Sequence, residues 1–497
     1  MLWRMMMVAL GSALLMGCAV GPNFQPPEAP DTQTYTSRAL PSETATASVA
    51  GGTVQRFKMG EKIPDQWWTL FHSEALDHLI RRALVDNPTT VAAQAALRQA
   101  QELLRAQYGA TWFPGVDANL TASRQRSAGA SFGQASSGGS TFELYNASVN
   151  VSYLLDIFGG ARRELESLQA QVDYQRFQLL GTYLTLTANI VTSAVQEASL
   201  RAQLRATKEI LADQQRAYEL VQRQFQLGGT SRADVLAQQT QLAQTRAALP
   251  PLEKTLSQTR HLLAVLVGKL PNDAGTLPEF DLHNITLPKE LPVSLPSSLV
   301  RRRPDIQAAE ALLHAASAQV GVATANLYPR ITLTGSYGSE TNKIGDLFNS
   351  DTVVWNFGGG LLQPLFHGGE LKAKRQAAVA AYDQALALYR QTVLQAFRNV
   401  ADALRALESD ARTLKAQFEA ETAAKDTLAL TKKQFQFGAV SYLSLLNAQR
   451  QYQQVRISLI QAQAARFADT AALFQAVGSG KWHAAPVAEN KTAKTKD

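Results

Sequence analysis

Cysteine is almost missing from this chain: Cys18 is the only one in 497 residues. A lone cysteine excludes an internal disulfide framework, and with Cys18 modified no thiol remains for catalysis. Long apolar runs are missing too. Beyond the N-terminus no stretch reaches the roughly 18 apolar residues that an ordinary membrane-spanning helix needs. Charge of one sign is not concentrated: Lys and Arg number 48 against 41 Asp and Glu, and the net +7 is spread along the whole length. That spread reads as solvated helix faces and excludes a dedicated nucleic-acid surface. No Gly-Lys-Ser/Thr phosphate loop occurs, so the chain does not hydrolyse nucleotide itself. The seven histidines are scattered, and His72 and His78 are poorly spaced to share a metal on a helix. No catalytic site, cofactor or metal centre is expected, and the chain is not read as an enzyme.

What is present begins at the N-terminus. Residues 1–17 have the form of a secretion signal, with Arg4 as the positive region and Met5 to Met16 as a short apolar core. The run ends Leu15-Met16-Gly17-Cys18, which resembles a bacterial lipobox. Cys18 is therefore expected to carry an S-diacylglycerol and an N-acyl chain, the two anchors that stable membrane attachment needs. Residues 18–60 are rich in Pro, Ser, Thr and Ala and read as an extended, unpacked tether. Residues 479–497 are polar and Lys-rich and read as a disordered tail.

The body of the chain is written twice, with a step of roughly 210 residues. Asn87-Pro88 opens a helical run ending at Trp112-Phe113-Pro114, and Arg303-Pro304 opens one ending at Leu327-Tyr328-Pro329. Leu155-Asp156-Ile157-Phe158-Gly159-Gly160 has its counterpart in Gln363-Pro364-Leu365-Phe366-His367-Gly368-Gly369. Gln224-Phe225-Gln226-Leu227-Gly228 returns as Gln434-Phe435-Gln436-Phe437-Gly438. Between these marks, Ala161–Leu227 holds no proline and one glycine, Gly181, while Glu370–Phe437 holds neither. Each segment predicts a helix about 100 Å long, too long for a globule. Leu165, Val172, Leu179, Leu186 and Leu200 fall on seven-residue steps, with a gap at Ser193. The turn at Gly228-Gly229 and the turn at Gly438 reverse the chain, with Ser231 and Ser441 as N-caps of the return helices. Pro250-Pro251 must break the first return helix, whereas Tyr442–Val477 runs free of Pro and Gly.

Four segments alternate with period two. In the first half Val116, Ala118, Leu120 and Ala122 face away from Asp117, Asn119, Thr121 and Ser123. Tyr145 to Tyr153 alternates likewise. In the second half Ile331, Leu333, Gly335 and Tyr337 alternate with Thr332, Thr334 and Ser336, and Val353, Trp355 and Phe357 follow. The loops from Ser127 to Thr141 and from Glu340 to Asp351 are Gly/Ser/Asn-rich. Such alternation fits a half-buried soluble hairpin as well as an outer-membrane strand; the lipobox and the projecting helices favour the membrane. Four strands cannot close a barrel, so sister chains must complete it, and a water-filled conduit favours three chains over two.

The order of motifs resembles the outer-membrane factor family of tripartite efflux systems, the TolC-like channels, in their NodT-type lipoprotein branch. The resemblance is carried by Leu299-Val300-Arg301-Arg302-Arg303-Pro304-Asp305-Ile306 with Ala309-Glu310, by Tyr328-Pro329, by the two Gly-Gly motifs and by Cys18-Ala19-Val20-Gly21-Pro22-Asn23-Phe24. It implies an α+β membrane protein with an internal two-fold repeat: a trimeric twelve-stranded outer-membrane β-barrel, four strands per chain, continued by a periplasmic α-helical barrel. Residues 61–270 and 298–478 become the two repeats, with 271–297 as an equatorial linker. Implied partners are two further copies of the chain, a periplasmic membrane-fusion adaptor, an inner-membrane pump of the resistance-nodulation-division type, and outer-membrane lipid. The chain would be lipid-anchored on the periplasmic side of the outer membrane and would export small toxic compounds passively. The alternatives are a channel for type I polypeptide secretion and a non-conducting coiled-coil lipoprotein that spans the periplasm. The resemblance places an adaptor-contacting tip at Gln224, Phe225, Gly228, Gly229, Ser231, Gln434, Phe435, Gly438 and Ser441. It places a gate at Leu443, Asn447 and Arg450, with Arg232 and Asp234 in the related place of the first half. Asn447 stands where many members carry aspartate.

Overall fold

The computed structural model describes residues 19–127 and 140–478. Cys18, most of the Gly/Ser-rich loop after Ser127 and the expected tail lie outside the described residues. In chain order the elements are β1 (Arg56–Met59), α1 (Glu74–Asp86), α2 (Pro88–Trp112), β2 (Gly115–Ser127), β3 (Ser140–Leu155), α3 (Gly160–Gln226), α4 (Arg232–Ala247), α5 (Leu249–Leu266), β4 (Glu290–Val293), α6 (Pro296–Val300), α7 (Pro304–Ala325), β5 (Arg330–Thr341), β6 (Val353–Leu362), α8 (Glu370–Gln436) and α9 (Tyr442–Val477). Helices α3 and α8 each run 67 residues unbroken, as the absence of proline permits. The seven-residue series is internal: Val172, Leu179, Leu186 and Leu200 are all buried, and so is Ser193 in its gap. The first return helix breaks at Ala248, two residues before Pro250 of the Pro-Pro pair, which enters the first turn of α5, while α9 continues for 36 residues.

The chain forms two compact units. One comprises residues 1–27, 96–175 and 308–389, the other 28–95, 176–307 and 390–497. The first unit holds an antiparallel sheet in the order β2-β3-β5-β6. Among the described residues the outer edges of β2 and β6 pair with no other strand.

In the second unit the duplication acquires a physical reason. The residue before each helix-opening proline ties down the C-terminus of that half's return helix. Asn87 Nδ2 donates to Leu266 O at 2.8 Å, the last carbonyl of α5. Arg303 Nη1 donates to Ala476 O at 2.6 Å, near the end of α9. These carbonyls have no partner within their own helices, so each bond satisfies a group that would otherwise be stranded. The Arg-Pro-Asp signature is thus a clamp. Arg303 is 7% exposed, and its Nη2 pairs with Asp305 at 2.8 Å.

The segment 18–60 departs from the expected loose tether over much of its length. Residues 44–59 are packed in the second unit. β1 pairs in parallel with β4, and Thr44 and Gln55 are buried. Thr44 N donates to Gln55 O at 2.9 Å, and Gln55 N donates to Thr44 Oγ1 at 3.0 Å. The fully buried Arg466 of α9 holds this strap by donating to Gln55 Oε1 at 2.7 Å, Thr44 Oγ1 at 3.2 Å and Thr53 O at 3.3 Å. The linker 271–297 is packed as well, with Leu282, in a short helical turn, and Leu291, in β4, both buried.

Beside Arg466, Asp410 of α8 meets Asp469 of α9. As a carboxylate its buried Oδ2 faces no donor; protonated, it donates to Asp469. Burial and the neighbouring carboxyl push Asp410 up from the ordinary 3.8 to about 7. The folded chain therefore holds a proton that the unfolded chain has released. The pair's contribution is complete below about pH 4 and is lost as pH rises through about 7. Asp410→Asn is expected to stabilise the protein by about 1–2 kcal/mol at pH 8 and by less than about 0.5 kcal/mol at pH 5, since only the charged form is penalised. Denaturation midpoints at the two pH values measure this; a destabilised variant at pH 8 would refute it.

Candidate functional site

Two places carry the features a conduit needs: the wall and the tip. In the wall, register decides everything, because a slip of one residue exchanges the faces of a strand. The four alternating segments align. Val116, Val151, Gly335 and Phe357 form one row across the sheet, Ala118, Val149, Tyr337 and Trp355 the next, and Leu120, Ala147, Ser339 and Val353 a third. The opposite face carries Asp117, Asn150, Ser336 and Asn356 in one row. One face is mostly apolar, interrupted in these rows by Gly335 and Ser339, and the other mostly polar, with Val354 an exception opposite Gly338. The apolar side chains are bare: Leu120 is 74% exposed, Trp355 73% and Phe357 79%. A water-facing sheet of this width would bury such a face.

The strands are longer than the alternation alone suggests. β2 has 13 residues and β3 has 16, because Arg124 pairs with Glu143, and Arg126 with Thr141, beyond the last apolar positions. At the other end, Phe158 stacks on Tyr328 with centroids 4.8 Å apart. The Leu-Asp-Ile-Phe-Gly-Gly motif and the Tyr-Pro motif therefore meet at the feet of β3 and β5. Asp156 launches α3 by accepting from Ala161 N at 3.1 Å and Arg162 N at 2.9 Å, satisfying free amides of the first turn.

At the tip, α3 and α8 end identically. Gly229 N donates to Gln224 O at 2.8 Å and Gly228 N to Phe225 O at 3.0 Å. Ala439 N donates to Gln434 O at 2.9 Å and Gly438 N to Phe435 O at 3.0 Å. This paired bonding requires a left-handed residue, and Gly228 and Gly438 stand there at φ 75° and 70°. A Cβ on Gly438 would meet nothing within 4 Å, so only backbone strain opposes substitution. Gly438→Ala is expected to cost about 1 kcal/mol and Gly438→Asn less, because asparagine tolerates the left-handed region. Thermal unfolding of the two variants measures the difference, and equal costs would remove the backbone explanation.

The return helices start on Ser231 and Ser441. Ser231 and Asp234 form a reciprocal capping box, and Ser441 Oγ accepts from Ser444 N at 3.3 Å. Asp234 is thus committed to its own helix end: it accepts from Ser231 Oγ at 2.7 Å and Thr230 Oγ1 at 2.9 Å. These bonds outweigh its slight burial and hold its carboxyl below the usual range. Arg232 lies over the Phe225 ring, 5.9 Å from its centroid. Arg450 Nε donates to Gln241 Oε1 of α4 at 2.7 Å. Leu443 is 60% exposed, and Asn447 is exposed one turn on.

Sequence reasoning passed over what holds the tip together. Val221, Val235, Tyr442, Leu445 and Leu446 form a small core. The Tyr442 hydroxyl donates to Gln238 Oε1, and burial pushes the phenol above its ordinary range. The ring packs against Phe435 at 5.6 Å. The signal was an aromatic directly after an N-cap serine. Leu227 and Phe437, within the two repeated turn motifs, occupy matching places and are 87% and 85% exposed.

The sequence profile of the family described as "Outer membrane efflux protein" matches residues 79–269 and 295–479. A pyoverdine export outer membrane protein of Pseudomonas aeruginosa is 33% identical over 422 residues, which cover 84% of this chain and 87% of that protein. A probable efflux pump outer membrane protein of Pseudomonas putida is 31% identical over 482 residues, 96% of this chain and 95% of its own. The solved outer-membrane channel OprN matches with a TM-score of 0.82 at 27% identity, over 93% of this chain and 99% of its own. With both repeats matched and a four-stranded sheet that bares one apolar face, the chain belongs to the outer membrane efflux protein family.

Proposed function

We propose that three copies of this chain form the outer-membrane exit duct of a tripartite efflux pump. The observation that carries the reading is the aligned sheet, with a bare apolar face, a polar face and two open edges. In lipid every strand edge must be paired. Three sheets of four strands close as twelve, wide enough to hold water, with the Asp117, Asn150, Ser336 and Asn356 face turned to the lumen. A spacer without a pore has no use for such a sheet. Cys18 carries the lipid anchor. The turns with Leu227 and Phe437 meet a periplasmic adaptor, and an inner-membrane pump supplies the energy. The name of the Pseudomonas aeruginosa relative, a pyoverdine exporter, supports a small molecule as cargo.

Leu443, Asn447 and Arg450 form the periplasmic gate, with Arg232 beside it and Asp234 acting only through its cap. Reconstitution in planar bilayers tests both claims. Wild-type trimers are expected to conduct poorly. Arg450→Ala, which removes the bond to Gln241, combined with Leu443→Ala is expected to raise conductance several-fold. A combined variant as silent as the wild type would refute the gate, and one that never forms trimers would refute the duct.

A further inference from the structure

The six residues after Cys18 are held the way a ligand is held. Val20 N donates to Phe158 O at 3.0 Å, on the connection between β3 and α3. Arg163, 5% exposed, spends its guanidinium on the same stretch. Its Nε donates to Val20 O at 3.3 Å, its Nη2 to Asn23 Oδ1 at 2.7 Å and, more weakly, to Gly21 O at 3.5 Å. Its Nη1 pairs with Glu166 at 2.6 Å, and the other oxygen of Glu166 lies 2.9 Å from His314 Nε2. The Phe24 ring stacks on His314 at 4.3 Å, nearly parallel.

The groove is also shaped to backbone. A Cβ on Gly21, whose φ is 95°, would lie 2.5 Å from Gly321 Cα, and a Cβ on Gly321 would lie 2.7 Å from Arg163 Cγ. A Cβ on Gly159 would lie 2.5 Å from Ala19 Cα. A loose tether needs none of this, because ordering it only costs conformational entropy.

We propose that Ala19–Phe24 is a docking segment, and that Gly159, Arg163, Glu166, His314 and Gly321 form its receptor and fix the point where the lipid leaves the protein. One peptide link, about 3.8 Å between Cα atoms, separates Ala19 from the acylated residue. A flexible tether of about 25 residues, the stretch ahead of the packed strap, would let its end wander by roughly 25–30 Å. Docking confines the acyl chains to the foot of β3 and β5, where Phe158 and Tyr328 stack. The anchor then acts as a fixed peg that sets the depth of the barrel in the periplasmic leaflet.

The proposal rests on the acylation of Cys18, which the mass of the N-terminal peptide decides separately. Hydrogen exchange on the full-length protein in lipid nanodiscs tests the dock itself. The Val20 amide is expected to exchange at least about 100-fold slower than in an unstructured peptide. Arg163→Gln and Phe24→Ala, made separately, are each expected to speed exchange across residues 19–24 about tenfold and to leave α3 from Val172 onward unchanged. Phe24→Ala removes only a ring, so it keeps the test open if Arg163→Gln fails to fold. Cys18→Ser is expected to keep the protection, because the groove and not the lipid holds the segment. Unprotected exchange at Val20 in the wild type, or loss of protection in Cys18→Ser, would overturn the dock. An unmodified Cys18 in the wild type would overturn the peg.

Discussion

An arginine in place of Val149 is expected to abolish stable membrane insertion, whereas an arginine in place of its neighbour Asn150 is expected to insert normally and alter ion selectivity. The two positions are adjacent in β3 and point to opposite faces. Val149 sits in the row of Ala118, Tyr337 and Trp355, Asn150 in the row of Asp117, Ser336 and Asn356. Arginine on the lipid face of a barrel costs about 2–4 kcal/mol near the midplane, and a trimer incurs it three times, roughly 6–12 kcal/mol in all. That is comparable to the whole stability of an ordinary domain. On the lumen side the same charge stays in water with Asp117 directly opposite, and three added cations favour anions in the pore. Urea extraction of membranes measures the first effect and reversal potential under a salt gradient the second. If both variants insert equally well, the apolar face does not meet lipid.

Sequence carries the repeating and local features of this fold well. Period-two alternation, seven-residue steps and Gly turns are each set by residues within a few positions of one another. The capping box is of this kind, readable from Ser231 and Asp234 three residues apart. The strap over α9 is not. Arg466 meets Thr44 across 422 positions, and residues 44–55 have no apolar period to announce that they are packed. β1 and β4 have four residues each, too few to show alternation against the background of a Pro-rich linker. The Arg-Pro-Asp motif could be noticed as a signature, but its work depends on where α9 ends, some 170 residues later: Arg303 reaches Ala476. At the tip, the exposure of Leu443 and Asn447 follows from their places on α9, while Asp234, held ionised by its cap, has its carboxylate fixed at the start of α4 by Ser231 and Thr230.

The strap yields the second large effect. Arg466→Met is expected to destabilise the second unit by about 3–5 kcal/mol, the cost of breaking a buried charged network from one side. The side chain is 0% exposed. Its loss would leave Gln55 Oε1 and Thr53 O without the donor it supplies, and Thr44 Oγ1 with only the Gln55 amide. Arg466→Lys is expected to recover little, because one ammonium cannot reach acceptors that a planar fork spans. Burial already lowers the guanidinium to about 10, yet it remains charged at neutral pH, and it is the cation that draws Asp410 downward. Removing it therefore leaves the two carboxyls facing each other with less compensation, and the variant should lose more stability at pH 8 than at pH 5. Adding Asp410→Asn to Arg466→Met should restore about 1–2 kcal/mol at pH 8, since it removes the charge that has lost its partner. Exchange of the Gln55 amide, which donates to Thr44 Oγ1, reads the strap locally without requiring reversible unfolding of a membrane trimer. An amide as protected in Arg466→Met as in the wild type would show that β1 pairing alone holds the strap, and that the buried arginine serves the carboxyl pair instead.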